Sequence, residues 1–447
     1  MNNKKSLDLT ESKISKVLIL FILPILAGSL IQQLYTTVDA VIVGQFVGKS
    51  GLAAIDSVWT LFKFPLNFLS GLSAGATIII SRYFGEKNEK ELDCSIHTSF
   101  SCAMVLGLVC SVLGVIFAPF MLRMLSVPDD IFTSTLLYVR VYFVGIWAMT
   151  LYNMLAGVLR ALGDSKSPFY ILVVCCVVNI IGDLVLVGLF RTGVAGAAGA
   201  TVLAQVISAV LALWRLSLIH EHCKEKIWHF QFCREHMRAI LNLGIPLAMQ
   251  GILYPVANSI VQSSVNTMGT DMIAAWSVCG KLDLVIWLVA DSLSPALSTY
   301  VAQNLGAGKR NRVNKGVMIG TAFSAGTVAL ISLGLFFFSG PLGKLFISAS
   351  DASVLIPYVV HFMKMMAPFY IFYAFTQAFS GACCGLGETT VSMITTMIFT
   401  CGLRIICIFF VMPMFQSMDC IVWIYVASWI STGIAFILLF LRKRNQK

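Results

Sequence analysis

Two places in this chain put an acid where hydrocarbon is expected. In the run from Cys175 to Leu186, Asn179 and Asp183 stand four residues apart among apolar neighbours. On a helix that spacing sets both side chains on one face, one turn above the other. The first hydrophobic segment holds a second acid, Asp39, between Val38 and Ala40. An Asp at the centre of a membrane-spanning helix costs roughly 2.5–3.5 kcal/mol on insertion scales, so such acids are rare and face a polar interior. The chemistry they offer is the binding of a proton or a hard cation. Two neighbouring carboxylates can share one proton, and carboxylate, amide and hydroxyl oxygens are the donors that hard cations take.

The elements that must position these groups are membrane spans. The 447 residues are 58% hydrophobic and 12% charged, with a mean hydropathy of +0.87, outside the range of soluble domains. A span needs about 20 apolar residues. The chain divides into twelve such stretches, at 15–43, 52–80, 95–118, 131–159, 168–190, 194–219, 239–266, 272–303, 314–338, 355–385, 390–413 and 420–441. The first is too long for a signal-peptide core and lacks a small-residue cleavage site, so it is read as a true span. By the helical rise, Asp183 lies roughly 22 Å into span 5 and Asp39 about 36 Å along span 1, which puts both in the outer half.

A net charge of +10 raises the question of nucleic acid, and the placement of the charges answers it. Of the 31 Lys and Arg, 22 fall at the two termini and in the even-numbered connections, and six on the opposite side. That is the positive-inside pattern, with both termini in the cytoplasm. The 13 cysteines show no even pairing and read as small apolar packing residues rather than a disulfide framework. His220, His222, Cys223, His229, Cys233 and His236 cluster between spans 6 and 7. Their spacing matches no zinc signature. With Trp228, Phe230 and Phe232 beside Lys224, Lys226 and Arg234, the segment reads as a linker on the headgroups, so no metal site is expected.

The halves overlay with a shift near 222 residues. Ile22 to Leu26, with Pro24, recurs as Gly244 to Ala248, with Pro246, and Arg160-Ala161-Leu162-Gly163-Asp164-Ser165 recurs as Cys384-Gly385-Leu386-Gly387-Glu388-Thr389. Six spans followed by six related spans are a parallel repeat. The expected organisation is an N-terminal lobe at 1–219, a cytoplasmic linker at 220–238 and a C-terminal lobe at 239–447. The acid pair has no counterpart in the second half. Lys281, Asp283 and Asp291 in span 8 are assigned to internal ion pairing, and Lys63 in span 2 is either similarly paired or a counter-ion to an acid of the first lobe. Pro24, inside span 1, removes a backbone hydrogen bond and predicts a kink or hinge.

Taken together, these residues resemble the multidrug and toxic compound extrusion (MATE) family over essentially the whole chain, and its DinF-like branch most. The resemblance implies a cation site in the N-terminal lobe built from Asp39, Asn179 and Asp183, with Tyr138 and Asn153 of span 4 and Thr201 of span 6, and it matches Pro24 to the branch's bending proline. The acids that the NorM-like branch carries in spans 7 and 10 are replaced here by Gln250, Gln262 and Gln377. The fold expected is all-α and polytopic, twelve helices in two six-helix lobes. The function implied is a secondary active antiporter of the bacterial plasma membrane, exporting organic, often cationic and amphipathic compounds against protons or sodium by alternating access. It is expected to be no enzyme, to need no cofactor beyond the coupling ion, to meet small organic substrates and lipid but no nucleic acid, and to be monomeric. The alternative is a flippase for lipid-linked saccharides, which calls for an Arg- and Lys-lined cavity.

Overall fold

A computed structural model describes residues 7–219 and 232–444. Among them are twelve helices long and apolar enough to cross a membrane, and the chain spans the membrane with them. They group into two compact units, one of Met1–Glu11 with Ile19–Ala248 and one of Ser12–Leu18 with Met249–Lys447. The division after Ala248 falls inside a helix.

The first unit holds α1 (Ile14–Phe46) from Ile19 onward, α2 (Lys49–Glu86), α3 (Glu89–Met124), α4 (Asp129–Ala161), α5 (Lys166–Leu189) and α6 (Val194–Ile219). It ends with the first turns of α7 (Arg234–Asn266). Helices run past the hydrophobic stretches because their ends are capped in the polar zone. At α3, Asn88 accepts from the Glu91 amide, and Glu89 and Glu91 lie in the first turn, where the helix dipole favours acids. The rest of α7 joins α8 (Thr270–Gly306), α9 (Arg310–Gly343), α10 (Ala352–Gly385), α11 (Thr389–Phe415) and α12 (Met418–Lys443) in the second unit.

Lipid contributes no hydrophobic drive between spanning helices, so close packing of small residues has to hold them. Gly71 and Gly75 of α2 do this. A Cβ on Gly75 would meet the Gly244 backbone nitrogen at 2.5 Å, and one on Gly71 would meet that of Ala248 at 2.3 Å. In the second unit Gly381 and Gly385 of α10 press likewise on the backbone of Ser294 and Ser298 in α8.

The repeat is visible in its turns. Gly163 and Gly387 both adopt the left-handed backbone, at φ 87° and 89°, a conformation that glycine reaches without strain. The acid that follows each one pairs with a base on the sixth span of its own half, α6 or α12. Asp164 meets Arg215 at 2.9 Å and Glu388 meets Lys443 at 2.7 Å.

Two of the described spans contain π turns. α5 is α-helical to Asp183 and continues as π turns over Leu184–Leu189. α11 carries π turns over Met397–Gly402 and Cys407–Val411, on either side of Arg404. Such turns recur at functional positions in helices, and no residue pattern announced them.

Candidate functional site: an acid pair and an aromatic cavity

In the first unit Asp39 and Asp183 come together. Their carboxyl groups lie within hydrogen-bonding reach of each other. Asp183 and Asn179 are fully buried. Turned with its amide nitrogen toward the acid, Asn179 donates to Asp183 Oδ2 at 3.1 Å and accepts from the Thr201 backbone amide at 3.3 Å. Oδ1 of Asp39 and Oδ1 of Asp183 have no hydrogen-bond donor among the described residues. Two facing carboxyls can bond only when one carries a proton, because an ionised carboxylate is an acceptor alone.

The surroundings explain why the acids meet here. Val38 and Ile180, neighbours in sequence of Asp39 and Asn179, pack against a buried cluster with Phe62, Tyr138, Tyr142 and Val187. Tyr138 is thus part of the wall beside the pair, its ring 5.9 Å from that of Phe62. Thr201 is buried, and its hydroxyl is 3.3 Å from the Asn179 side chain in the other amide orientation. The Asn153 backbone carbonyl accepts from Ser73 Oγ at 2.9 Å. Pro24 sits inside α1, which runs as one helix from Ile14 to Phe46.

Sequence reasoning missed two tyrosines. Tyr35 donates toward the Thr201 hydroxyl at 3.5 Å and lies close enough to Asp39 to feel its charge, as does Tyr142. The signal for Tyr35 was its place one helical turn before Asp39.

The second unit overturns the expected ion pairs. Asp283 is buried and accepts from the Tyr370 hydroxyl. Asp291 accepts from Tyr373 at 2.5 Å and from Gln377. Among the described residues neither acid has a Lys or Arg partner. Lys281 instead lies over the Phe346 ring, 5.4 Å from its centre, and Lys63 is exposed and meets no acid among the described residues. The reason is geometric: residues two apart on a helix point in different directions, so Lys281 cannot serve Asp283. Tyrosine hydroxyls from α10 neutralise the desolvation cost as donors. Arg404, also buried, donates to Ser428 at 2.9 Å and to Asn258 at 2.6 Å and stacks on Tyr425, 4.2 Å from the ring centre.

Several of these groups line a cavity of about 350 Å³. Asp283 and Asp291 line it together with Trp276, Trp287, Tyr254 and Tyr373. The Trp287 ring stands edge-on to Tyr373 at 4.4 Å. Carboxylates among aromatic faces make an environment that attracts organic cations, through charge and through ring quadrupoles.

The cysteine reading also needs correction. Cys94, at the start of α3, is bonded to Cys233, just before α7. Their separation of 139 residues hid the pairing from any local spacing rule. His220, His222, Cys223 and His229 lie outside the described residues.

The MatE family model matches residues 24–185 and 246–410, one segment in each half of the chain. Over 354 residues the chain is 28% identical to the probable multidrug resistance protein YoeA of Bacillus subtilis, covering 78% of this chain and 76% of that one. It is 25% identical over 351 residues to an FAD transporter of Shewanella oneidensis, covering 78% and 77%. A solved MATE structure in complex with MaL6 superposes with a TM-score of 0.88 at 19% identity, covering 99% of this chain and 98% of the other. With both halves matched, the twelve spans and their repeat place this chain in the MatE family, the multidrug and toxic compound extrusion transporters.

Proposed function

We propose that the protein is a secondary active antiporter that exports organic, amphipathic and cationic compounds in exchange for protons or sodium. The acid pair Asp39–Asp183 is the coupling-ion site, with Asn179, Thr201 and Tyr138 around it. The observation that carries this reading is that two carboxyls face each other while one oxygen of each has no donor. A proton or a cation binding there removes a strong repulsion, and its release restores it. Such a group can favour one conformational state of the unit over another, which is what coupling requires.

Support for cationic substrates comes from the cavity of the second unit, where two acids sit among tryptophan and tyrosine rings. The same lining counts against the lipid-linked saccharide flippase, because a pyrophosphate needs several bases and one arginine, Arg404, stands behind the cavity's tyrosines. On this reading the chain works in the bacterial plasma membrane as a monomer with both termini cytoplasmic. It requires no cofactor besides the coupling ion and binds no nucleic acid.

The test uses purified protein in vesicles loaded with a cationic dye, with a proton gradient imposed in one series and a sodium gradient in another. The wild type should move dye with one of the two. Asp39→Asn and Asp183→Asn should insert normally and lose at least about tenfold in gradient-driven transport, since an ion that no longer binds one state better than the other cannot shift the equilibrium between them. Wild-type rates in both variants would remove the pair from the mechanism.

A further inference from the structure

At the start of α3 and the start of α7, far from both acid constellations in sequence, four metal-competent side chains converge. One donor atom from each of Cys94, Cys233 and His236 lies within 4.8 Å of the others. His236 is 6% exposed, and its Nδ1 has no hydrogen-bond partner among the described residues. A buried imidazole nitrogen left unpaired is costly, so this one is poised for a ligand. Glu91 Oε2 sits 3.0 Å from Nε2 of the same ring; Nε2, like Nδ1, makes no hydrogen bond among the described residues, and a small rotation of the ring would bring it into line with the carboxylate, the partner that commonly orients a metal-bound histidine. The Tyr83 ring, 5.5 Å away, packs on the imidazole. The Cys233 amide donates to Thr98 Oγ1 at 3.3 Å and so fixes that strand of chain against α3.

We propose that, with its thiols reduced, the protein binds one Zn²⁺ through Cys94, Cys233 and His236, with Glu91 as the positioning residue and the fourth coordination place open to solvent. Two thiolates and an imidazole are a ligand set that zinc takes in tetrahedral sites. The Cα atoms of the cysteines are 6.7 Å apart, near the wide end of the disulfide range; two thiolates on one ion tolerate that spacing without backbone movement. The disulfide and the ion are alternatives at this place. Reduction by a phosphine takes oxygen from one water and leaves phosphine oxide and two thiols. Zinc binding then releases the two thiol protons. The residues lie at the same end of the helices as Arg82, Lys87, Arg234 and Arg238, the end that charge assigns to the reducing cytoplasm. Because Cys94 comes from another helix, no local motif could reveal the site.

The experiment is a titration of the phosphine-reduced, full-length protein with Zn²⁺ against a chromophoric chelator, repeated with Co²⁺ to read thiolate charge-transfer and tetrahedral ligand-field bands. The wild type should take up one equivalent. Cys94→Ser and His236→Asn should each lose tenfold or more in affinity and lose the respective band pattern, while Glu91→Gln should lose roughly tenfold with the bands kept, as an orienting partner does. A protein with His220→Gln, His222→Gln, Cys223→Ser and His229→Gln should still bind one equivalent. Helicity by circular dichroism shows that each variant is folded. If His236→Asn does not insert, Cys94→Ser and the cobalt spectrum decide alone. Absence of stoichiometric binding in the reduced wild type, or unchanged binding in Cys94→Ser, overturns the proposal.

Discussion

Asp39 and Asp183 serve each other, whereas Asp283 and Asp291 are each served by a tyrosine hydroxyl. The difference separates a pair whose free oxygens suit the small exchangeable ion proposed above from acids that tyrosine hydroxyls already satisfy beside a cavity. A cationic ligand there gains from Asp291 and from the ring faces together. Asp291→Asn should therefore weaken binding of a quaternary ammonium dye roughly tenfold or more, the loss of a close opposite charge in a site of low dielectric. Tyr373→Phe removes one donor and leaves Gln377 in place, so its effect should be only a few-fold. Isothermal titration of the two variants checks the order, and equal effects would mean that charge is not what the cavity reads. Legibility followed the same divide. Asp39, Asn179 and Asp183 were visible because acids in apolar runs are scarce. The pairing of Asp283 with Tyr370 was not visible, because its partner lies 87 residues away and hydropathy counts tyrosine as an ordinary wall residue.

Among the elements, spans declared themselves through length and hydropathy, and the repeat through its Leu-Gly-acid turns. The π turns after Asp183 and around Arg404 did not, since they depend on one backbone register shift that any apolar sequence can host. The repeated turns also differ in a way that can be measured. Asp164 is 7% exposed, caps the Ser167 amide at 2.9 Å and binds Arg215, whereas Glu388 is 27% exposed beside Lys443. Removing the charge of buried Asp164 takes a partner from both Arg215 and the Ser167 amide, while an ion pair with both partners partly in solvent contributes about 0–1 kcal/mol. Asp164→Asn should lower thermal stability in detergent by an amount worth about 1–3 kcal/mol, and Glu388→Gln by less than about 1 kcal/mol. A reversed order in a melting assay would show that the repeat distributes its load differently.

For the molecule as a whole, the 22 to six division of Lys and Arg makes a single topological prediction. Single cysteines placed at Arg310 and at Asp419 in a cysteine-free chain should react differently with an impermeant reagent in intact cells. The residue at 419 should label from outside, and the residue at 310 only after lysis. The opposite result would invert the orientation and with it the direction of transport.

The cavity of the second unit has an optical consequence. Of the eight tryptophans in the chain, Trp276 and Trp287 line it, and Trp429 stands edge-on to Trp287 with ring centres 5.8 Å apart. Indole emission responds to charge and polarity within a few ångströms, so an organic cation bound in this cavity would be expected to change the emission of these three indoles. Without any added label, a shift in the colour of the emitted light on adding a cationic compound would report a guest in this cavity.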